Sequence, residues 1–228
     1  MKYEDFKARM KAMEKERGRK QVEPLSVDLF DYDHIRPRIF YRVESTKGKE
    51  EMMEQCPHVL FDNIMIVFRW LYSQDDERIA SARIEWNHLE NWGITEEELV
   101  DTAIQNTPRL FPHKISRLID MIRQHVELGG PDLPVYVLTN KVNINGACTM
   151  FYSNLLKEIG DDLEQDFYIL PSSIHEVLLI GEKESCPVKE LYEMVWDANH
   201  SVVSEKEFLS NHVYYYCREN DEITLVPK

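Results

Sequence analysis

Apolar and polar positions along the chain repeat with two different periods, and these periods predict where helices and strands form. Near the start, Tyr3, Phe6, Met10 and Met13 recur every three or four residues with Lys and Arg between them. This spacing predicts an amphipathic helix that ends near Gly18. Its apolar side is expected to lie on the rest of the domain or on a second copy of the chain, rather than on a membrane surface.

The next hundred residues alternate between strand and helix patterns. The long apolar segment at 63–72 has apolar residues on both faces, which predicts a central strand. Residues 80–86 alternate with period two and are expected to pair with it as a hairpin. The other predicted elements here are a connecting loop at 22–34, a strand at 38–44 and a short helix at 49–56.

Two helices are predicted before the middle of the chain. Thr95 and Glu98 have the spacing of a capping box, so a helix is expected to begin there and to run to about Asn106, ended by Pro108. A second helical stripe, terminated by the glycine pair and proline at 129–131, is formed by Ile115, Leu118, Ile119, Ile122 and Val126.

The segment 133–181 is the most informative part of the sequence. It predicts a strand at 135–139, a helix at 147–159, a strand at 167–170, a tight turn and a further strand. One helix joining two strands is typical of a βαβ crossover, so the first two strands are expected to be parallel neighbours. A helix is predicted from Pro187, with one apolar face formed by Val188, Leu191, Val195 and Ala198. A hairpin of 212–218 with 223–226 completes the chain.

These elements predict an α+β fold with mixed sheets. The expected domains are a helical tail at 1–20, an N-terminal lobe at 21–130 and a C-terminal lobe at 131–228, with a single domain at 21–228 as the alternative. Both halves share the order strand, helix, strand hairpin, helix. This order raises the hypothesis of two related lobes, although no residue-level repeat accompanies it.

Charge and cysteine content narrow the expected partners and compartment. Residues 1–20 have a net charge of +4, which leaves −18 on residues 21–228 out of a total of −14. Such a body repels phosphate backbones, so no nucleic-acid partner is expected. The four cysteines include no CxxC pair, and no apolar stretch is long enough for a leader or a membrane span. The sequence therefore predicts a cytoplasmic protein without a metal or a cofactor.

The predicted crossover also brings polar residues to one edge of the sheet. Because the carboxyl ends of parallel strands meet there, a pocket for a small polar ligand or an anion is conceivable at the helix start and the PSSIHE corner. Its residues would be Asn140, Asn145, Gly146, Ser172, Ser173 and His175. The plainer interpretation, which we favour, is that Asn145 and Gly146 form a turn and cap while residues 171–173 reverse the chain.

The pattern argues against catalysis at this corner. His175 is expected to begin the strand that follows the corner and to be largely buried. Side chains alternate along a strand, so His175 and Glu176 point to opposite faces and cannot orient one another as a triad. Cys148 lies in the first turn of the predicted helix, where a small half-buried thiol is a commoner role than a nucleophile. No nucleophile elbow, zinc-helix motif or phosphate-binding loop is present.

The motifs VYVLTNKxxxNGA, LLKEIG and DFYILPSSIHEVLLI resemble a bacterial family of unknown function that is common in anaerobic gut bacteria. The resemblance extends over 38–218 and is most specific at PSSIHEV. It implies no activity and no catalytic residue. Members of that family often have Ala or Val at the position of Cys148 and a longer N-terminal region than the 37 residues here.

Two functional hypotheses follow. The favoured one is a non-enzymatic cytoplasmic interaction or regulatory protein that binds a protein partner or associates with itself through the N-terminal helix. The alternative is a small-molecule or anion binder, or a hydrolase, in which His175 is the base or the ligand contact and Gly146 begins the anion cradle.

Overall fold

The computed structural model describes residues 1–13, 31–74, 79–123 and 134–228. These form two compact units, Met1–Pro112 and His113–Lys228. The predicted boundary at 129–131 lies outside the described residues, and the change of unit comes before it. Helices and antiparallel sheets occur in both units, which confirms the α+β class.

The first unit contains a four-stranded sheet and several helices. In chain order its elements are α1 (Tyr3–Met13), α2 (Tyr32–Ile35), a 3-10 turn (Arg36–Arg38), β1 (Ile39–Ser45), α3 (Glu50–Gln55), β2 (His58–Phe61), β3 (Ile64–Gln74), β4 (Ile79–Arg83), α4 (Trp86–Trp92) and α5 (Glu96–Leu110).

The strand β3 lies at the centre of this sheet, as its apolar faces predict. It pairs antiparallel with β1, β2 and β4, and the order is β1-β3-β2 with β4 also paired to β3. The short strand β2 was not predicted, because its apolar residues are separated from the apolar residues of β3 by only two positions. Trp86 is not the last residue of a strand, as predicted, but the first residue of α4.

One face of the sheet is covered by α1 and α5. Phe6 of α1 is fully buried and meets the Tyr41 ring of β1 edge-on, with centroids 5.5 Å apart, and Met10 is buried as well. The apolar side of the N-terminal helix is therefore covered by its own unit, the first of the two placements that the sequence allows. The predicted end near Gly18 lies outside the described residues.

The helix α5 begins at the predicted capping box, in which Thr95 Oγ1 accepts from Glu98 N and Glu98 Oε2 accepts from Thr95 N. Its predicted end near Asn106 is wrong, because the helix continues through Pro108 to Leu110. Tertiary contacts hold this last turn. Thr107 Oγ1 accepts the Tyr41 backbone N–H at 3.0 Å, and Asn106 Nδ2 donates to the Arg36 carbonyl at 2.7 Å.

The other face of the sheet carries an apolar cluster and a buried ion pair. Met52 and Cys56, at α3, pack against Met65 and Val67 of β3. On the same face the carboxylate of Glu44, only 6% exposed, is bound by two strong cationic donors, Arg42 and Lys49. Burial raises the pKa of Glu44, but the two cations outweigh burial and bring this pKa to about 2.

The second unit contains a six-stranded sheet. In chain order its elements are β5 (His113–Arg117), α6 (Leu118–Arg123), β6 (Val135–Asn140), a 3-10 helix (Gly146–Phe151), α7 (Leu155–Leu163), β7 (Phe167–Leu170), β8 (Val177–Gly181), a 3-10 turn (Glu182–Glu184), α8 (Val188–Ser201), β9 (Tyr214–Cys217) and β10 (Glu222–Leu225).

The order of this sheet, β10-β9-β7-β8-β6-β5, corrects the predicted crossover. β6 and β7 are not neighbours, because β8 lies between them and pairs antiparallel with both. The helical connection is also broken into two pieces, a 3-10 helix and α7, rather than one helix over 147–159. The hairpin of β7 with β8 is confirmed. In this hairpin β8 runs back along β7, and the other edge of β8 pairs with β6. The hairpin therefore separates β7 from β6.

The predicted helical stripe that starts at Ile115 is wrong in its first turn. Residues His113–Arg117 form β5, which pairs antiparallel with β6 and places Ile115 opposite Leu138. The stripe then holds for Leu118, Ile119 and Ile122 in α6, whereas Val126 lies outside the described residues. Five residues of apolar and polar alternation fit a strand as well as a helix, and only the partner β6 decides between them.

The helix α8 covers one face of the second sheet. Leu191 and Val195, predicted on one side of this helix, are buried against Val135, Leu170 and Ile180. The opposite face is also covered, since Leu138, Ile169 and Leu179 are fully buried and point away from the α8 cluster. The last predicted hairpin is confirmed as β9 paired with β10.

The two units contain one topological element in common. In the first unit this element is a strand (β1), a helix (α3) and a hairpin (β2 and β3). Its strands lie in the order β1-β3-β2. In the second, β6, the helical segment, β7 and β8 give the order β6-β8-β7. In both, the third strand lies between the first two and is antiparallel to each. The sequence predicts a shared order in which 63–72 and 80–86 form the hairpin of the first half, whereas the element common to both sheets uses β2 and β3. Duplication stays a hypothesis.

We expect Thr107→Val to lower the free energy of unfolding by about 1–3 kcal/mol, because it removes the acceptor of the buried Tyr41 N–H while keeping the side-chain size. Urea denaturation would measure this loss. Thr107→Ser is the matched control. It retains the hydroxyl and should cost only about 1 kcal/mol, the value of one methyl group. Equal losses in both variants would contradict the role of this hydrogen bond.

The Glu44 carboxylate should make the protein sensitive to acid. A folded-state pKa of about 2, against an ordinary 4.5, corresponds to about 3 kcal/mol of stability that is present above pH 4.5 and is lost as the pH falls toward 2. Unfolding curves between pH 2 and 7 should therefore converge for the wild type and Glu44→Gln at low pH and diverge at neutral pH. Glu54→Gln, at an exposed position of α3, should show no such divergence.

Candidate functional site

The six candidate residues lie at one end of the second sheet. Because β6 and β7 are both antiparallel to β8, they run in the same direction and their carboxyl ends share an edge. The loop after β6 and the 171–176 corner between β7 and β8 both leave from that edge. The sequence therefore predicts the meeting of these segments correctly, although the two strands are separated by β8.

Asn140 organises the loop that follows β6. Its side chain is buried, and Oδ1 accepts from the backbone N–H groups of Val142 and Ile144 while Nδ2 donates to the Ile144 carbonyl at 2.7 Å. Asn145 follows in the left-handed conformation, with φ 53°, which asparagine tolerates better than most residues. Both asparagines thus shape the turn.

Gly146 is required by close packing. A Cβ atom at this position would lie 2.6 Å from the His175 carbonyl oxygen and 2.7 Å from the Asn140 nitrogen, and it would overlap the Thr139 hydroxyl. The backbone of the 3-10 helix can approach the corner only without a side chain. The following amide, Ala147 N–H, donates to the Ile174 carbonyl at 3.1 Å, so it is not available to an anion.

The corner itself is held by its own polar side chains. Ser173 Oγ accepts the His175 backbone N–H at 2.9 Å, and His175 Nδ1 accepts the Asn145 backbone N–H at 3.1 Å. The Thr139 hydroxyl donates to the His175 carbonyl at 2.7 Å. Ser173 is 4% exposed. His175 was expected to begin β8 and to be largely buried, but it precedes that strand and its side chain is 27% exposed.

The segment 204–210 closes the corner from the other side. Ile174 N–H donates to the Glu207 carbonyl, and the carbonyls of Ser172 and Pro171 accept from Leu209 and Ser210. A single antiparallel bridge joins Ser173 and Phe208. Three chain segments that are distant in sequence are therefore joined at this point mainly by backbone hydrogen bonds.

The two nitrogen atoms of the His175 ring have different surroundings: Nδ1 contacts the backbone, and Nε2 lies near the half-exposed Glu207 carboxylate. Since Nδ1 accepts a hydrogen bond, the proton of the neutral ring lies on Nε2, which is 3.4 Å from Glu207 Oε1. A hydrogen bond from Ser204 and the nearby His175 lower the pKa of Glu207. Burial raises the pKa of Glu176, against the opposing effects of His175 and Ser173.

This arrangement is poorly suited to nucleophilic catalysis. The Ser173 oxygen is covered and already accepts a backbone N–H, and the Nδ1 atom of His175 is similarly occupied. Cys148 is 2% exposed, and its Sγ donates to the Asn145 carbonyl at 3.2 Å. The Ser172 hydroxyl makes no hydrogen bond within the described part of the chain. The exposed polar atoms of the corner are His175 Nε2 and the Glu207 carboxylate.

Sequence reasoning missed Glu207 and the segment around it. A local signal exists, because Ser204 and Glu207 have the spacing of a capping box and the Ser204 hydroxyl donates to Glu207 Oε2 at 2.8 Å. That signal marks a turn. It does not indicate that the turn packs against residues 172–175, about thirty positions earlier, which depends on the path of α8 across the sheet.

Within 1–13, 31–74, 79–123 and 134–228, no group of three or more His, Cys, Asp or Glu side chains is placed to hold a metal ion. Over the same ranges, no helix combines the length and the apolar character that crossing a bilayer requires.

Comparison with known proteins gives the affiliation of the chain. No curated protein and no solved structure matches it. A family model does match, over residues 3–218, and this range includes every residue of the corner and of both sheets up to Cys217 and Arg218. The chain therefore belongs to the family of unknown function DUF5688.

Proposed function

We propose that this protein is a non-enzymatic interaction or regulatory protein, in which the PSSIHE corner is a structural joint. The observation that carries the proposal is the hydrogen bond from Asn145 N–H to His175 Nδ1, together with that from His175 N–H to Ser173 Oγ. Both candidate catalytic atoms serve the backbone. A general base or a nucleophile needs these same atoms for the substrate.

Exposed aromatic surface supports an interaction role. Trp196 on α8 is 56% exposed and its ring stacks on His200 one turn later, with centroids 3.9 Å apart. Tryptophan on a rigid helix is enriched at protein interfaces, because it adds a large contact area at a low entropic cost. The apolar side of α1, by contrast, is buried in its own unit, so α8 supports partner binding better than the N-terminal helix does.

A second candidate function rests on the outer edge of His175. Nε2 and the half-exposed Glu207 carboxylate form a donor and acceptor pair that solvent reaches. A small polar ligand could bind this pair while Asn140, Asn145, Gly146, Ser172 and Ser173 support it from behind. This version needs ligand contact only at Nε2, not at the helix start.

We also infer a cytoplasmic location in a bacterium. Support comes from the resemblance noted in the sequence and from the cysteines, all four of which are free thiols, with Cys56 and Cys148 buried. Free thiols are usual in reducing compartments.

Replacing His175 should cost stability before it affects any function. His175→Ala removes the acceptor of Asn145 N–H, and we expect a loss of about 1–3 kcal/mol in the free energy of unfolding, measured by urea denaturation. Ser173→Ala should cost a similar amount, because it removes the acceptor of His175 N–H.

His175→Asn is the matched control for this prediction. An asparagine side chain places a hydrogen-bonding atom where Nδ1 lies but has nothing at the position of Nε2. If the role is structural, His175→Asn should recover most of the stability lost in His175→Ala. If His175→Asn is stable but loses binding to a small polar ligand, the second candidate function is correct and the first is wrong.

Screens with esterase, amidase and phosphatase substrates should show no turnover above the buffer. The physical reason is the occupation of Ser173 Oγ and His175 Nδ1 by backbone groups. Turnover by the wild type that disappears in both His175→Ala and the stably folded His175→Asn would contradict the proposal.

A further inference from the structure

Three arginines project from one face of the first sheet. In the β1–β3 pairing Phe40 lies opposite Arg69 and Arg42 opposite Val67, and in the β3–β4 pairing Arg69 lies directly opposite Arg83. Opposed residues share a face, and residues two apart along a strand share it as well. Arg42, Arg69 and Arg83 therefore form a row across three strands, next to Glu44. We call these three residues the arginine row.

Among the residues that the structure describes, Arg42 is the one member of the row with a carboxylate partner. Glu44 Oε1 accepts from two nitrogens of Arg42, at 3.0 and 2.6 Å, and its other oxygen accepts from Lys49. Within the described residues no carboxylate forms an ion pair with Arg69 or Arg83. The single carboxylate of Glu44 is thus shared by two cations, and two further cations remain beside it.

The donors of Arg69 and Arg83 are incompletely used. Arg69 donates from Nε to the Ser81 hydroxyl at 2.9 Å and from one terminal nitrogen to the Ser81 carbonyl at 2.6 Å. These acceptors are neutral. Arg83 Nε is buried and has no hydrogen-bond partner within the described part of the chain. The rest of this half-buried guanidinium lies beside the neutral Cys56 thiol, which interacts with it. A buried donor without an acceptor, such as Arg83 Nε, is costly.

The electrostatics of Arg69 agree with this geometry. Burial, and after it the positive charges of Arg42 and Arg83, lower its pKa against the opposing effect of Glu44, and the result of these effects together is a pKa of about 10. Such a lowering means that the local field disfavours one more positive charge. A bound anion would reverse the field and would complete the hydrogen bonding of the guanidinium groups.

We propose that the arginine row is a binding site for a small phosphoryl anion, either free phosphate or the phosphate group of a small metabolite. Guanidinium groups have planar, forked donors that match the oxygens of phosphate and bind them in pairs. A phosphate dianion would balance the charges of Arg69 and Arg83. Arg42 and Lys49, 23% and 33% exposed, lie at the solvent side, so the row is reachable from water.

The acidity of the chain does not oppose this site at short range. The total charge of −14 is spread over the surface, and salt screens charges beyond about 8 Å at physiological ionic strength. A phosphate in contact with the row is governed by the few charges next to it. The long-range repulsion favours a small anion over a polyanion such as nucleic acid, which would extend beyond the row.

The test is a titration of the full-length protein with inorganic phosphate and, separately, with glycerol phosphate at constant ionic strength, with potassium chloride as the reference. Binding is followed by calorimetry and by the melting temperature, which a ligand specific to the folded state raises. We expect one of the two phosphates or both to bind, and chloride to have no comparable effect. Equal binding identifies the phosphoryl group as the recognised unit, whereas preference for one of them identifies its source.

Arg69→Met and Arg83→Met should weaken phosphate binding by about tenfold or more, since each removes charged hydrogen bonds to the anion. Arg36→Met, at an exposed arginine of the same unit, removes the same charge and should leave binding unchanged. Without phosphate, the melting temperature of Arg69→Met should lie within a few degrees of the wild type. The substitution loses two hydrogen bonds to Ser81 but also removes a half-buried charge that has only neutral acceptors within the described residues.

The melting temperature without ligand separates misfolding from loss of the site. If Arg69→Met fails to fold, Arg83→Met and the charge-preserving Arg69→Lys take its place, with weaker phosphate binding expected in both. Absence of phosphate and glycerol phosphate binding by the wild type would overturn the proposal. Equal weakening by Arg36→Met would also overturn it, because binding would then reflect net charge alone.

Discussion

The structure depends most on one constraint: backbone amides that are buried beyond the reach of a strand partner must still find an acceptor. Tyr41 N–H, on β1, donates to the Thr107 hydroxyl, and this hydrogen bond helps to hold the last turn of α5, which continues beyond Pro108. Asn145 N–H is satisfied by the His175 ring, and His175 N–H by the Ser173 hydroxyl. In each case a polar side chain replaces the missing strand, so residues that resemble a catalytic set serve to close the fold.

The same constraint explains why the corner is a joint of three segments. The strand β8 enters the second sheet between β6 and β7, so the turn that precedes β8 lies at the end of β6 and against the loop that follows β6. Gly146 allows this approach, and the segment 204–210 then pairs with the remaining carbonyls of Pro171 and Ser172. An equivalent third strand, β3, occupies the centre of the first sheet. In both units, therefore, the last strand of the shared element, β3 or β8, pairs with both of the other strands of that element.

Charged side chains are satisfied differently at the corner and on the first sheet. At the corner, Glu207 remains half-exposed and pairs loosely with His175, so little desolvation is required. On the first sheet, Glu44 is almost fully buried and is satisfied by two cations. Within the described residues, Arg69 has only neutral acceptors and Arg83 Nε has none. Fully satisfied polar networks stabilise a fold, and incompletely satisfied ones often mark a place where something binds. This contrast favours the arginine row over the corner as the place where a ligand would bind.

The sequence by itself determined the local features. Hydrophobic period predicted the central strand β3, the buried side of α8 and the α+β class, and the capping box located the start of α5, because these depend on neighbours within a few residues. It also predicted that the 140–146 loop and the 171–175 corner meet. Only the tertiary structure decided that β8 separates β6 from β7, that Ile115 lies in a strand, that α5 passes Pro108, and that Glu207 faces His175. Each depends on a partner far along the chain, and the hydrogen bonds of that partner outweigh the local preference of the segment.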